Sequence, residues 1–387
     1  MRRVGKWLGR ILLALVLATL VVGFWKREEI TRLLAVNSLF SEEKIVHNFS
    51  NMDAAFLTAP LPRGAGATTE LPYGAEFELP AGTGQWIEER AVTSLLVMQG
   101  GKIRYEEYYL GTGPDDRRIS WSIAKSYLSA LFGVLEDEGA FDSLDDPVVK
   151  YAPLLKGSAY DGASIRNVLN MASGVVFDED YLDYDSDINR MGRAVALGGK
   201  LDDFAASITE TFADPGETWK YVSIDTHVIS MVIRGATGRS VPELLSEKVL
   251  VPLGMERDGY YITDGAGVAF VLGGLNFTTR DFARFGQMIL QNGQYNGQQV
   301  IPVDWIAEST AATAPTEPGK EGYGYQWRIP AGAHEGEFFG RGVYGQYLYM
   351  DQKRGVVIMT TGADRNFRDD GVNELNIEMF RKITQSL

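Results

Sequence analysis

The chain opens on an apolar run. Residues 11–25 carry no charge, and Arg2, Arg3, Lys6 and Arg10 lie ahead of them. As a helix this run reaches about 22 Å, or about 28 Å counted from Trp7, close to the thickness of a bilayer core. Behind it, Lys26 and Arg27 are offset by Glu28 and Glu29. The charge bias therefore places the N-terminus in the cytoplasm and the body outside it. No small-x-small cleavage signature follows, which favours an uncleaved anchor through residues 7–25 over a removed signal sequence.

Beyond the anchor, residues 27–36 have the spacing of a short helix. Residues 37–90, rich in Gly, Pro and Thr, predict an irregular wrap. Strand patterning begins at 93–99 and returns over 102–110 after the Gly100-Gly101 turn, a hairpin. A strongly apolar helix starts near Ser122 and stops at Gly139. From 140 to 285 the signals are helical or loop-like, with helices at 164–171, 204–210, 224–235, 241–249 and 279–292. Strand patterns resume at 323–329, 344–350 and 355–361, and 370–386 closes the chain as a helix. Strands at both ends around a helical middle predict an α/β (α+β) fold, an antiparallel sheet flanked by helices with an inserted all-helical domain. The expected units are an anchor or signal sequence (1–30), a wrap (31–90), a sheet domain (91–140 with 286–387) and the inserted domain (141–285).

Composition narrows the function. The net charge is −14, and without residues 1–30 it is −18, from 31 basic and 49 acidic side chains. So acidic a body argues against a nucleic-acid partner. The absence of cysteine excludes thiolate catalysis, disulfides and Cys-ligated metals.

The strongest chemical signal is Ser122-Ile123-Ala124-Lys125, at the mouth of the apolar helix. Three residues are nearly one helical turn, so the Ser122 hydroxyl and the Lys125 ammonium share a face. Trp121, Ile123, Ala124, Tyr127, Leu128, Leu131 and Val134 surround the pair with apolar surface. Desolvation works against an ammonium's charge, so a lysine so placed is suited to accept a proton from a serine nucleophile. Free N–H groups at a helix start are suited to stabilise an oxyanion. The bland alternative is an N-cap serine with the lysine reaching solvent. A second copy, Ser41-Glu42-Glu43-Lys44, shows how weak the spacing is alone; its acidic neighbours would keep that lysine solvated.

Other chemistries find no support. There is no Gly-x-Ser-x-Gly elbow for a Ser-His-Asp triad. His47, His227 and His334 are too dispersed for zinc and read as structural or exposed. Asp183-Tyr184-Asp185-Ser186-Asp187 begins like a calcium loop but has Ile188 where glycine is needed and Ala194 where glutamate is needed. It reads as an acidic rim. A serine–lysine enzyme does need another proton-transfer group. Tyr221 offers one, after the Pro215-Gly216 turn and before a helix for which Ser223 would be the cap. Taken alone it reads as a packing aromatic, one of 18 tyrosines.

At this point the chain resembles the class C β-lactamase-like serine hydrolases, a β-lactamase/transpeptidase-like fold, and especially the branch of 6-aminohexanoate-dimer hydrolases and family VIII esterases. The resemblance covers most of residues 37–387. It rests on blocks in the family's order: 119–126, 165–174, 221–227, 252–256, 279–286 and 342–346. It implies Ser122 as nucleophile, Lys125 as its base and Tyr221 as the tyrosine of the Tyr-x-Asn/Ser element. It also implies an oxyanion hole from the backbone N–H groups of Ser122 and Val343, and a substrate pocket faced by Tyr181 and Gly342. The family's Lys-Thr-Gly element falls on Gly340-Arg341-Gly342. Gly340 brings no charge, and on a strand Arg341 would point to the opposite face.

The expectation is a membrane-anchored, periplasmic or otherwise extracytoplasmic serine hydrolase, or a secreted one if the leader is cleaved. It would cleave a small amide or ester through an acyl-enzyme, with no metal or organic cofactor implied. The rivals are a D,D-peptidase or β-lactamase acting on cell-wall-like substrates, and a catalytically silent binding domain on the same fold.

Overall fold

The computed structural model describes residues 2–387. Its centre is a seven-stranded antiparallel sheet drawn from both ends of the chain. Across it run Lys102–Tyr108, Val92–Gln99, Val356–Gly362, Gln346–Asp351, Glu337–Gly342, Trp327–Ile329 and Gly322–Gly324. The expected hairpin is its first pair, with Ser94 opposite Tyr108. The run read as one strand at 323–329 is two short strands folded about Gln326, whose φ is +69°. The strand expected from 344 begins at Gln346, because Tyr344 and Gly345 take positive φ and make the turn out of Glu337–Gly342.

Both sheet faces are covered. The closing helix Val372–Ser386 buries Ile377, Phe380 and Ile383 against Val97, Tyr349 and Ile358. On the other face Thr279–Leu290 packs beside Ala124–Asp137 in the main core. Thr279–Leu290 thus straddles the boundary drawn at 285/286.

Region 141–285 is largely helical, but it also contributes the strands Gly259–Thr263 and Leu275–Phe277. With Leu57–Leu61 and Arg118–Ile119 these form a second, four-stranded sheet. Every residue of the two strands is buried, so no polar–apolar alternation betrayed them. The wrap is also more ordered than its composition suggests, with helices Ile45–Ser50 and Thr83–Glu89 besides Leu57–Leu61. At the N-terminus, the helix Arg2–Trp25 includes the stretch Lys6–Trp25, 20 residues of mean hydropathy 2.2 and none of them buried. It is long and apolar enough to cross a membrane.

Candidate active site

Strand Arg118–Ile119 delivers the chain into a tight 3₁₀ turn, Trp121–Ile123, which runs straight into the helix Ala124–Asp137. Trp121 sits at φ +44°, a left-handed conformation costly for a bulky side chain. Ser122 follows, half-buried at the corner. Lys125, 2% exposed, lies one turn on among Ala124, Tyr127 and Leu128, all fully buried. Its Nζ is 2.8 Å from Ser122 Oγ and donates to the Leu272 carbonyl at 2.7 Å. The bland alternative, a lysine reaching solvent, is not what the structure holds. Lys44 of the second Ser-x-x-Lys copy is exposed.

Tyr221 joins this pair from the chain entering the helix Ser223–Thr237. Lys125 Nζ lies 5.3 Å from its ring centroid, and the Arg328 guanidinium lies 4.5 Å from it on strand Trp327–Ile329. Burial raises the Tyr221 phenol, but the positive charges of Lys125 and Arg328 outweigh it, and the net shift is downward. Ser223 is the first helical residue and Val222 holds the cap position. Rather than capping, the Ser223 backbone N–H and hydroxyl both donate to the Glu179 carboxylate. Burial raises Glu179 above the ordinary carboxylate range, against the pull of Lys125 and the Ser223 hydrogen bonds.

The two expected oxyanion amides meet where strand Glu337–Gly342 ends beside the Ser122 turn. A Cβ at Gly342 would lie 2.5 Å from the Ser120 carbonyl oxygen and 2.9 Å from Trp121 Cβ. Only glycine allows so close an approach. Among the described residues, neither Ser122 N–H nor Val343 N–H has an acceptor. The turn after Val343 is pinned by buried Gln346, whose Nε2 donates to the carbonyls of Val343, Tyr344 and Gly362 at 3.0, 3.1 and 3.0 Å. Both segments rest on aromatics of the wrap. Phe40 stacks on Tyr344 at 4.9 Å, and Phe49 meets Trp121 and Tyr344 at 5.5 Å each.

Ser122, Tyr181 and Val343 line two cavities at once. The larger, about 770 Å³, is of mixed polarity and holds the charged or ionisable groups Glu179, Tyr221, Glu321, Arg328 and Arg341, with Gly342, in its wall. The smaller, about 320 Å³, is mostly apolar. Tyr181 faces both, its hydroxyl donating to Glu179 at 2.9 Å. Gly340 does face away from Arg341, since its Cβ position points at Ser126 Oγ, 3.3 Å away. Arg341 nevertheless reaches the larger cavity, which extends past the sheet to Tyr347 and Asn373. Arg341 and Arg328, the latter paired with Glu321, thus bring positive charge to this cavity that Gly340 lacks.

The histidines stay outside. His227 is buried against Asp202 at 2.8 Å, and His334 contacts Asp351 at 3.1 Å. No group of three His, Cys, Asp or Glu side chains able to hold a metal occurs among the described residues. Sequence reasoning missed Arg328, Glu179 and Gln346. A charged residue inside the buried run 323–329 was the one available signal for Arg328.

Residues 85–378 match the sequence profile of the beta-lactamase family. The chain belongs to that family. It is 32% identical over 324 residues to 6-aminohexanoate-dimer hydrolase of Paenarthrobacter ureafaciens, 80% of this chain and 80% of that protein. It is also 27% identical over 143 residues to a D-aminopeptidase of Brucella anthropi, 37% of this chain and 26% of that one. A solved Bacillus anthracis structure, provisionally named a 6-aminohexanoate-dimer hydrolase, superposes with a TM-score of 0.80 at 23% identity, covering 90% of this chain and 95% of its own. That last likeness speaks for the fold alone. Membership and the first relative make this protein a serine hydrolase on the β-lactamase fold.

Proposed function

We propose that the protein hydrolyses amide or ester bonds of small molecules through an acyl-enzyme on Ser122. In this reading Lys125 in its amine form takes the Ser122 proton as Oγ attacks the carbonyl, and Tyr221 relays it to the departing amine or alcohol. The N–H groups of Ser122 and Val343 receive the developing oxyanion. Water then cleaves the acyl-serine. Tyr181 and Gly342 bound the substrate. The observation that carries the reading is the 2.8 Å contact between Lys125 Nζ and Ser122 Oγ in apolar surroundings.

The 20-residue apolar stretch Lys6–Trp25 supports an anchored enzyme. The basic residues before it support a cytoplasmic N-terminus and an extracytoplasmic body.

A second reading, hydrolysis of β-lactams or cell-wall peptides, draws support from Arg328 and Arg341, since both lie where a substrate carboxylate could be met. One experiment separates the two. Residues 31–387 are incubated with acyl esters, linear amides and penicillins, and acyl adducts are read by intact mass and mapped. Adducts on Ser122 that turn over with esters and amides are expected. Adducts only with penicillins would install the second reading, and adducts elsewhere would remove Ser122.

A further inference from the structure

We propose that the smaller cavity is the binding site for an aliphatic acyl chain, so that the substrate is a lipid-like amphiphile whose polar half leaves. The proposal deepens the acyl-enzyme reading and rests on it.

Four observations carry it. First, the cavity of about 320 Å³ reaches Ser122 and is walled by Leu39, Phe40, Met52, Ile188, Val195 and Phe270. Second, several of the polar groups at its edge are already engaged, although Trp121 Nε1 is buried without a partner. Asn189 Nδ2 donates to the carbonyls of Tyr181 and Asp183 at 3.1 and 2.7 Å. Arg193 donates to the Tyr184 carbonyl at 2.6 Å, and Ser223 is bound to Glu179. Such a wall rewards burial of methylenes and offers little to a polar group.

Third, the two cavities are chemically unlike, and the acyl-enzyme assigns their roles. Tyr221, the proton donor to the leaving group in that reading, lines the larger, charge-bearing cavity and not the apolar one. The amine or alcohol therefore departs through the polar side, among Glu321, Arg328 and Arg341. The acyl half, held on Ser122, is left with the apolar side. In the step, the bond between Ser122 Oγ and the acyl carbon forms and the carbon–nitrogen or carbon–oxygen bond breaks. The hydroxyl proton ends on the leaving group, and water later releases the fatty acid and restores the serine.

Fourth, the cavity is bordered by Val36 and Asn37, at the end of the helix Arg27–Asn37 that follows the apolar stretch. That helix is about 16 Å long, so this side of the body stays near the membrane end of the chain. Leu182 and Tyr184, which also line the cavity, are 81% and 67% exposed. An acyl chain drawn from a bilayer would meet these side chains on entry.

The test uses two ester series, each measured below its micelle concentration. In one, p-nitrophenyl esters run from acetyl to octanoyl. In the other, the acyl group stays acetyl and the alcohol lengthens from ethyl to octyl. We expect kcat/KM to rise by up to about fourfold per acyl methylene, the equivalent of about 0.8 kcal/mol, and to change little along the alcohol series. Gly192 gives the matching variant. It lines the cavity, and nothing lies within 4 Å of where its Cβ would be. Gly192→Phe should lower the octanoyl-to-acetyl ratio of kcat/KM by about tenfold or more, as expected when several methylenes lose their place. A flat acyl profile, or a rise along the alcohol series instead, overturns the proposal while Ser122 still acylates. If Gly192→Phe does not fold, the wild-type series decides. Absence of any Ser122 adduct, acetyl included, overturns the acyl-enzyme reading itself.

Discussion

The Arg328 guanidinium lies against the face of the Tyr221 ring, 4.5 Å from its centroid, while bonding the Glu321 carboxylate on its other side. Arg328 and Lys125 together lower the phenol against the effect of burial. Removing one of the two charges should raise it. Arg328→Met should therefore move the basic limb of the kcat/KM–pH profile, where the donating phenol loses its proton, upward and lower activity at pH 7 by about 10²-fold, the scale of a misplaced proton-transfer group. Arg328→Lys, which keeps the charge, should restore most of the shift. A basic limb unmoved in Arg328→Met would show that the phenol's ionisation does not limit the reaction.

Gln346 should act as a positioning residue. Its amide holds two carbonyls of the turn and that of Gly362 on the neighbouring strand, and its Oε1 accepts from Gly362 N–H at 3.0 Å. That network fixes Val343 N–H without touching substrate. Gln346→Met keeps the volume and removes the bonds, so kcat should fall by about tenfold or more with KM little changed, short of the 10²–10³ seen when an oxyanion donor itself is lost. Equal losses in kcat and binding would point to a collapsed pocket instead.

How much of this was legible beforehand follows from where the signals sit. Ser122, Lys125 and the apolar helix around them are close in sequence, so spacing alone brings them together. Tyr221, Val343 and Gly342 come from distant segments, and only the ordered family blocks tied them to the site. Glu179 looked like any other member of the acidic stretch 178–187; its burial against Ser223 is a tertiary fact. The helix Asp187–Ala196, capped by Ser186, went unmarked because the same acidic spacing read as a failed calcium loop. Arg341 was assigned to the correct sheet face, yet one face of a strand does not reveal how far a cavity wraps around the sheet's end.

Asp225 makes stability depend on pH. Fully buried beneath the site, it accepts from Tyr160 and Ser173 at 2.7 and 3.0 Å through one oxygen, and its other oxygen has no partner. Burial pushes its carboxyl up to about 8. A raised carboxyl keeps its proton in the folded state where the unfolded chain has lost it. Stability should thus fall from about pH 4 to about pH 8, by about 1.4 kcal/mol per pH unit at most. Asp225→Asn cannot ionise and should flatten that slope in urea titrations at pH 5, 6, 7 and 8. An unchanged slope would place the dependence on another group.

The last prediction concerns what the N-terminal segment contributes to chemistry as distinct from location. The apolar stretch Lys6–Trp25 has no buried residue, so its removal should leave the body intact. Residues 31–387 should be soluble, with kcat/KM on an acetyl ester like that of the full chain, and only the full chain should sediment with membranes. A cut before residue 45 should behave differently. It removes Leu39, which is 3% exposed, and Phe40, which stacks on Tyr344 and lies 5.8 Å from Trp121. A buried side chain such as Leu39 contributes about 1.5–3 kcal/mol, and the half-buried Phe40 less. Phe40 also stands behind the segments that carry the Ser122 and Val343 amides, so residues 45–387 should lose thermal stability and kcat together. Phe40→Ala in the full chain isolates the second effect. It should lower kcat on the acetyl ester by about tenfold, as expected for a donor shifted but not lost, at temperatures where circular dichroism reports the native fold. Full kcat in folded Phe40→Ala would reduce the wrap to a purely structural strap.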